Sequence, residues 1–191
     1  MAFINPPTKK PFLLRFGDWL VKRITGKELL PAQLLAWYPK AAISSAVMEG
    51  LIAHQDGALN ERMLKIVRMT ASFSAGCPFC MDMNSTDWAQ LISLDELHVL
   101  QGSKPSDEVG SLSTREKLAV EYTRRISGTP LEFPRSLIAE ITSQFSEREI
   151  VILAVTAAQV NYWARLIQAL GCPPAGFNEN LFFLDDWHVT K

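Results

Sequence analysis

Two cysteines, Cys77 and Cys80, are the residues of this chain whose type and spacing most clearly predict chemistry. At the start of a helix, residues three apart lie on adjacent turns of one face, so two such sulfurs can close a small disulfide ring and reopen it. The amides of a helix N-terminus also stabilise a thiolate and lower a cysteine pKa from about 8.5 toward about 7 or below. Ala75 and Gly76 before the pair, and Pro78 within it, favour a helix that begins here. The C-x-x-C pattern therefore predicts a thiol–disulfide couple.

Two other interpretations of the C-x-x-C pair remain open, namely packing and zinc binding. In the packing alternative, both cysteines are buried in an apolar helix and do no chemistry. A structural zinc site needs four ligands, but the sequence has no second C-x-x-C, its histidines (His54, His98 and His188) are scattered, and Cys172 stands alone before two prolines. We expect no metal and no cofactor, and we expect Cys172 to be a small apolar filler.

The elements that must hold this pair are predicted to be helices. Apolar residues recur at helical spacing over 12–24, 118–126 and 137–145, and a long apolar run from Ile150 ends at Gly171. No segment shows the sustained alternation that is typical of a strand. First-turn prolines and capping side chains mark the predicted helix starts at Pro31, Asn60, Ser93, Ser113 with Glu116, and Ser146 with Glu149. The predicted fold class is therefore all-α, with the C-x-x-C at the start of a core helix.

Composition and charge limit the classes of function. The chain has 191 residues, 48% of them hydrophobic, and its 19 basic and 20 acidic side chains leave a net charge of −1, without an overall basic field for nucleic acid. Its longest apolar run, IVILAVTAAQV, is shorter than the about 20 residues of a membrane span, and charged residues interrupt the N-terminal apolar runs. Three cysteines do not make a secreted disulfide scaffold. We expect a soluble, cytoplasmic protein that binds neither nucleic acid nor membrane.

The segment from Leu64 to Asn84, LKIVRMTASFSAGCPFCMDMN, resembles the carboxymuconolactone decarboxylase and AhpD-like alkylhydroperoxidase superfamily. The core pattern of that family is a Glu, eleven intervening residues, and then C-x-x-C-x-x-x-H. Residues 113–174 are similar to the C-terminal half of the family in motif order and spacing, so the resemblance covers roughly residues 40–175. It implies an AhpD-like helical fold and a homo-oligomer.

The match to the family pattern is incomplete. Cys77 and Cys80 correspond to the redox pair of the peroxidase members, and their presence argues against the decarboxylase branch, which typically lacks the C-x-x-C. In the family, the Glu and the His pass a proton through water to or from the second Cys, but this chain has Lys65 and Asn84 at those positions. Asn84 cannot take up a proton near neutral pH, and Lys65 is a cation. Lys65 either favours the Cys80 thiolate as a buried ammonium or reaches solvent without a role, and we favour the second because surface lysine is commoner.

The resemblance implies a peroxidase with Cys80, Cys77, Asn84 and Lys65 as its site residues. Cys80 would attack a hydroperoxide and become a sulfenic acid, Cys77 would resolve it as a disulfide, and an external thiol or dithiol reductant would complete the cycle. Helix position alone favours Cys77 as the thiolate, and only the resemblance assigns the attack to Cys80. The alternative is a non-catalytic or redox-sensing protein whose proton relay has decayed. Asp82 is expected to make a surface or interhelix contact.

The chain is predicted to be a single AhpD-like domain over 1–191. It would have an N-terminal helical extension (1–39), a family core (40–175) and a C-terminal apolar tail (176–191). An exposed apolar tail would be a liability, so we expect it to pack on the body or on a neighbouring subunit. The tail's large apolar residues are Phe177, Leu181, Phe182, Phe183, Leu184 and Trp187.

Overall fold

The computed structural model describes residues 2–52 and 59–178 of the chain, and over these ranges its regular elements are all helical. This confirms the predicted all-α class. The α-helices are α1 (Phe12–Thr25), α2 (Leu30–Leu35), α3 (Pro39–Leu51), α4 (Glu61–Ser74), α5 (Pro78–Asn84), α6 (Leu94–Gln101), α7 (Thr114–Ser127), α8 (Arg135–Gln144) and α9 (Glu147–Ala169).

Local side-chain caps set the starts of the helices that surround the cysteine pair. The Asn60 side chain accepts a hydrogen bond from the Met63 amide at 2.9 Å and so begins α4. Complete capping boxes begin three further helices: Ser93 with Glu96 at α6, Ser113 with Glu116 at α7, and Ser146 with Glu149 at α9. Each such cap stabilises its helix by about 1 kcal/mol. The helix starts predicted at these positions are confirmed.

Helix α4 lies at the centre of the fold and packs against α5, α6, α7 and α9. Leu64, Ile66, Val67 and Met69 on this helix are completely buried. Helix α9 has the length and apolar composition of a membrane span, and it packs against α4, α5, α7 and α8. Together α4 and α9 form the support on which the short helix α5 rests.

A buried charge network fixes α4 to α6 and α7. The Arg62 guanidinium contacts Glu96 Oε1 at 2.7 Å through Nη2 and Glu116 Oε1 at 2.7 Å through Nε. Burial alone would raise the pKa of Glu96, but the hydrogen bonds from Arg62 and from the Ser93 amide lower that pKa to about 2. The pair therefore keeps its charges at neutral pH and holds the central helix in place.

Candidate redox site

The two cysteines lie at the start of α5, as predicted. Cys77 is the N-cap residue, and its Sγ accepts a hydrogen bond from the Cys80 amide at 3.2 Å. Pro78 occupies the first turn, where its missing N–H costs no hydrogen bond. The two sulfurs are joined in a disulfide, with the Cα atoms 5.2 Å apart. The local sequence thus places a small disulfide ring at a helix N-terminus. Once the disulfide is reduced, the amides at this end of the helix stabilise a thiolate.

The pair is enclosed by apolar side chains. Cys77 is 0% exposed and Cys80 is 3% exposed. Both belong to a buried group, here called the cysteine cluster, which consists of Ala71, Cys77, Phe79, Cys80, Val160, Ala164 and Ile167. Partly buried side chains pack around it, including those of Leu29, Trp163, Cys172 and Ala175. A substrate can reach either sulfur only after part of this surrounding shell moves.

One part of that shell is the segment 172–178, here called the C-terminal strap, which is fastened to α5 by Asp82. Asp82 is 1% exposed. Its carboxylate accepts hydrogen bonds from the amides of Gly176 at 2.7 Å and Asn178 at 2.9 Å, and its carbonyl oxygen accepts one from Asn178 Nδ2. The expectation that Asp82 makes a surface or interhelix contact is wrong, because the chain returns after α9 and covers this side of α5.

Lys27 fastens the same strap from the N-terminal side. Its Nζ donates to the carbonyl oxygens of Ala175, at 3.1 Å, and Gly176. The ammonium also lies 5.2 Å from the centre of the Phe177 ring. Phe177 belongs to the predicted apolar tail and lies within the described residues. The other large apolar residues of that tail lie outside the described residues.

Asn84, at the family's His position, faces α4. Its Nδ2 donates to the Ser72 hydroxyl at 2.9 Å, and this hydroxyl donates to the Arg68 carbonyl at 2.8 Å. Ser72 is completely buried. Asn84 therefore joins α5 to α4 through one neutral hydrogen bond, at a point four residues beyond Cys80.

Lys65, at the position where the family has a Glu, is half-buried and binds a backbone carbonyl oxygen. Its Nζ donates to the Thr86 carbonyl oxygen at 2.5 Å, just beyond the end of α5. Burial lowers the pKa of Lys65, and the charge of Asp87 acts against that shift. The expectation that Lys65 only reaches solvent is wrong, because the partly exposed side chain binds a carbonyl oxygen of the chain that leaves α5. Asn84 thus joins α5 to α4, and Lys65 separately joins α4 to the chain that follows α5.

Glu49 on α3 is a further charged residue near the site, and sequence reasoning gave it no role. Its Oε2 accepts hydrogen bonds from Gln159 Nε2 at 2.5 Å and from Trp163 Nε1 at 3.0 Å. Trp163 packs against the cysteine cluster. The contact joins residues more than a hundred positions apart, so no local pattern could have indicated it.

The described residues contain no group of three or more His, Cys, Asp or Glu side chains arranged to hold a metal ion. Of the three histidines, His98 lies within the described ranges, whereas His54 and His188 lie outside them. Cys172 is a free, partly exposed thiol that packs against the cysteine cluster, and burial raises its pKa. Its position agrees with the expected apolar packing.

Comparison with known proteins gives a consistent fold. No family model matches the chain. The protein YnjA of Escherichia coli K12 is 25% identical over 174 residues, which span 91% of this chain and 94% of YnjA. The AhpD-core, peroxidase-related protein of Ralstonia eutropha JMP134 superposes with a TM-score of 0.71 at 13% identity, covering 91% of this chain and 92% of the other. The debrominase Bmp8 superposes with a TM-score of 0.76 at 13% identity, covering 92% and 94%.

These similarities confirm the architecture that the sequence resemblance implies. They also show that one fold serves different reactions, since a peroxidase-related protein and a debrominase both share it. The chemistry of this chain must therefore be argued from its own site. The chain therefore has the helical fold of these AhpD-core and peroxidase-related structures.

Proposed function

We propose that the protein is a thiol–disulfide oxidoreductase that reduces hydroperoxides with Cys77 and Cys80. The observation that carries this proposal is the disulfide ring at the N-terminus of α5, where Cys77 Sγ accepts a hydrogen bond from the Cys80 amide. The ring joins neighbouring turns of one short helix, so it can open and close with little movement of the backbone. The Cys80 amide that donates to Cys77 Sγ favours a thiolate in the reduced form.

The reaction balances with one external reductant. In the reduced protein a cysteine thiolate attacks the hydroperoxide, so that a sulfur–oxygen bond forms, the oxygen–oxygen bond breaks, and the departing alkoxide takes a proton to become an alcohol. The second cysteine then attacks the sulfenic acid, the disulfide forms, and water leaves. A small thiol or dithiol reopens the ring by thiol–disulfide exchange. The family resemblance assigns the first attack to Cys80, with Cys77 as the resolving residue.

The apolar cysteine cluster favours an organic hydroperoxide over hydrogen peroxide. Phe79, Val160 and Ile167 line the buried surroundings of the pair. An alkyl or aryl group that enters such surroundings gains transfer free energy of about 0.8 kcal/mol for each buried methylene, which hydrogen peroxide lacks. We therefore expect a lower KM for a bulky organic hydroperoxide.

A steady-state assay tests this function. The protein is supplied with a small dithiol reductant and with either cumene hydroperoxide or hydrogen peroxide, and consumption of the peroxide is followed. We expect many turnovers per subunit and a preference for cumene hydroperoxide. Cys172→Ser is the matched control and should turn over like the native protein. Absence of turnover with both peroxides would contradict the proposal.

A redox-sensing role is the second candidate, and the contacts of Lys65 and Asn84 favour it. Both residues occupy positions where the family has a Glu and a His, and both side chains are engaged by hydrogen bonds that join α4 to α5 and to the chain that follows it. A sensor would be oxidised once by each peroxide molecule and re-reduced slowly. Stoichiometric oxidation without turnover in the same assay would support the sensor.

We also propose that the protein works as a homo-oligomer. Helix α1 has no buried residue, and three of its large apolar side chains, Phe12, Trp19 and Ile24, are 83%, 54% and 75% exposed. An apolar helix face of this kind is typical of a surface that another protein surface covers. Light scattering on the native chain and on a Phe12→Glu/Trp19→Glu variant checks this. We expect a lower mass for the variant, and a monomeric native protein would contradict the proposal.

A further inference from the structure

A cavity of about 320 Å³ lies between α1 and α2. This volume is at the lower end of the range for small-molecule sites in proteins, which is about 300–1,000 Å³. Four of the residues that line the cavity carry apolar side chains, namely Trp19, Val21, Leu29 and Ala32. The cavity therefore suits a small ligand with an apolar group.

The polar residues of the lining are paired with one another or with a neighbouring residue. Glu28 accepts a hydrogen bond from Lys22 Nζ at 2.8 Å and another from Gln33 Nε2 at 3.3 Å. Asp18 accepts one from Lys10 Nζ at 2.6 Å. A charged ligand would have to compete with one of these pairs, whereas an uncharged ligand would leave them intact. The lining thus favours an uncharged organic group.

Leu29 joins this cavity to the cysteine pair. It lines the cavity, and its side chain also packs against the cysteine cluster. Lys27, in the same connecting segment, donates to the carbonyl oxygens of Ala175 and Gly176 in the C-terminal strap. Ala175 packs against the cysteine cluster as well. One side of the shell around the two sulfurs is therefore built from the strap and from the segment that borders the cavity.

We propose that the cavity between α1 and α2 is the substrate site, that it receives the uncharged alkyl or aryl group of an organic hydroperoxide, and that Leu29 admits the peroxide group to the cysteine cluster. This inference deepens the proposed function and rests on it for the identity of the reacting group. A leucine side chain occupies one of a few staggered rotamers, so a change of the Leu29 rotamer opens the shell without moving a helix. The strap, which Lys27 fastens to the same segment, limits how often the shell opens.

Binding of cumyl alcohol, the product of cumene hydroperoxide reduction, tests the inference. The alcohol is titrated into the native oxidised protein, into Ala32→Leu, which fills the cavity, and into the matched control Ala46→Leu at an exposed position of α3. NMR spectra of methyl-labelled protein follow the binding. We expect saturable binding in the native protein and the control, and a dissociation constant at least about tenfold higher in Ala32→Leu, because the added side chain occupies the volume of the phenyl group. Trp19 is left unchanged, since it also belongs to the surface proposed for the oligomer.

Two outcomes would overturn the inference. One is the absence of saturable binding in the native protein, and the other is an equal dissociation constant in native protein and Ala32→Leu. Where Ala32→Leu fails to fold, the native protein decides alone. We expect nuclear Overhauser effects between the phenyl protons of the bound alcohol and the Leu29 methyl groups, and their absence at saturation would contradict the proposal.

The titration uses no peroxide and leaves the disulfide closed, so its result is independent of peroxidase activity. Binding at the cavity together with no peroxide turnover would keep the site and remove the proposed function. Turnover of cumene hydroperoxide with the same KM in native protein and Ala32→Leu would keep the function and remove the site.

Discussion

The two ends of α5 differ in how they are built and in how well they match the family pattern. Its N-terminal end carries a disulfide ring that one turn of chain closes between Cys77 and Cys80, with Pro78 within it. At its C-terminal end, Asn84 and Lys65 stand where the family pattern has a His and a Glu, and each side chain makes a separate hydrogen bond. The first end keeps the two sulfurs that the proposed redox step needs, whereas the second end lacks the acid–base pair of the family pattern.

The N-terminal end should give the largest effect when it is altered. Cys80→Ser removes the attacking sulfur, and we expect peroxide turnover to fall to the background rate. Cys77→Ser should also stop turnover, but it should leave a sulfenic acid on Cys80 that a carbon nucleophile such as dimedone traps. Mass spectrometry of the trapped protein checks the order of attack. A dimedone adduct on Cys77 in Cys80→Ser, with none on Cys80 in Cys77→Ser, would exchange the two roles.

At the C-terminal end of α5, restoring the Glu and the His of the family pattern should raise the rate of peroxide turnover. We expect the double substitution Lys65→Glu with Asn84→His to raise peroxide turnover by about 10²-fold, since a general acid or base contributes about 10²–10⁴-fold. Each single substitution should do less, because a relay needs both members. Steady-state turnover of the four proteins measures the coupling. Equal activity in all four would show that the contacts of Lys65 and Asn84 have no bearing on the rate.

The C-terminal strap allows access to the cysteines to be tested separately from their reaction with peroxide. Asp82→Asn removes the charged acceptor of two strap amides, and hydrogen bonds to charged groups contribute about 1.5–3 kcal/mol. A loss of about 1.4 kcal/mol would open the strap about tenfold more often. We therefore expect the reduced cysteines to react about tenfold faster with an uncharged alkylating reagent. The exposed Asp107→Asn is the control, and an equal rate in both variants would mean that the strap does not limit access.

The effect furthest from the cysteine pair concerns α4, the helix that both ends of α5 contact. The pKa of Glu96 is lowered to about 2 in the folded protein against an ordinary value of 4.5. A lowered carboxyl pKa stabilises the fold above about pH 4.5, and this contribution is lost as the pH falls toward 2. We expect the free energy of unfolding to fall by up to about 3 kcal/mol over that range. Urea titrations at several pH values measure this free energy, and Glu96→Gln should make it depend less on pH between about 4.5 and 2. An unchanged pH dependence in Glu96→Gln would contradict the assignment of the effect to Glu96.

Contacts made within one turn of chain could be predicted from the sequence, whereas contacts between distant segments could not. The capping residues Asn60, Ser113 and Ser146, and the N-terminal position of Cys77, act within one turn of chain, so their patterns are readable locally. The burial of Asp82 depends on a strap that lies about ninety residues away along the chain.

The contacts of Lys65 and Glu49 show the same dependence on distant packing. Lys65 meets a carbonyl that only the packing of α5 on α4 brings close. Glu49 meets Trp163 because α3 approaches α9. Side-chain type and helical spacing carry no information on such contacts, and for this reason the surroundings of the dithiol could not be predicted although the dithiol itself could.

The most direct test of the redox role is the fate of the thiols in the reduced protein after addition of one equivalent of an organic hydroperoxide. Intact-mass and peptide analysis would follow the reaction in native protein and in Cys172→Ser. We expect rapid loss of two hydrogen atoms per subunit, a Cys77–Cys80 disulfide, a free Cys172 and no crosslink between subunits. Cys77 and Cys80 thiols that persist for hours in the presence of the peroxide would contradict the redox role.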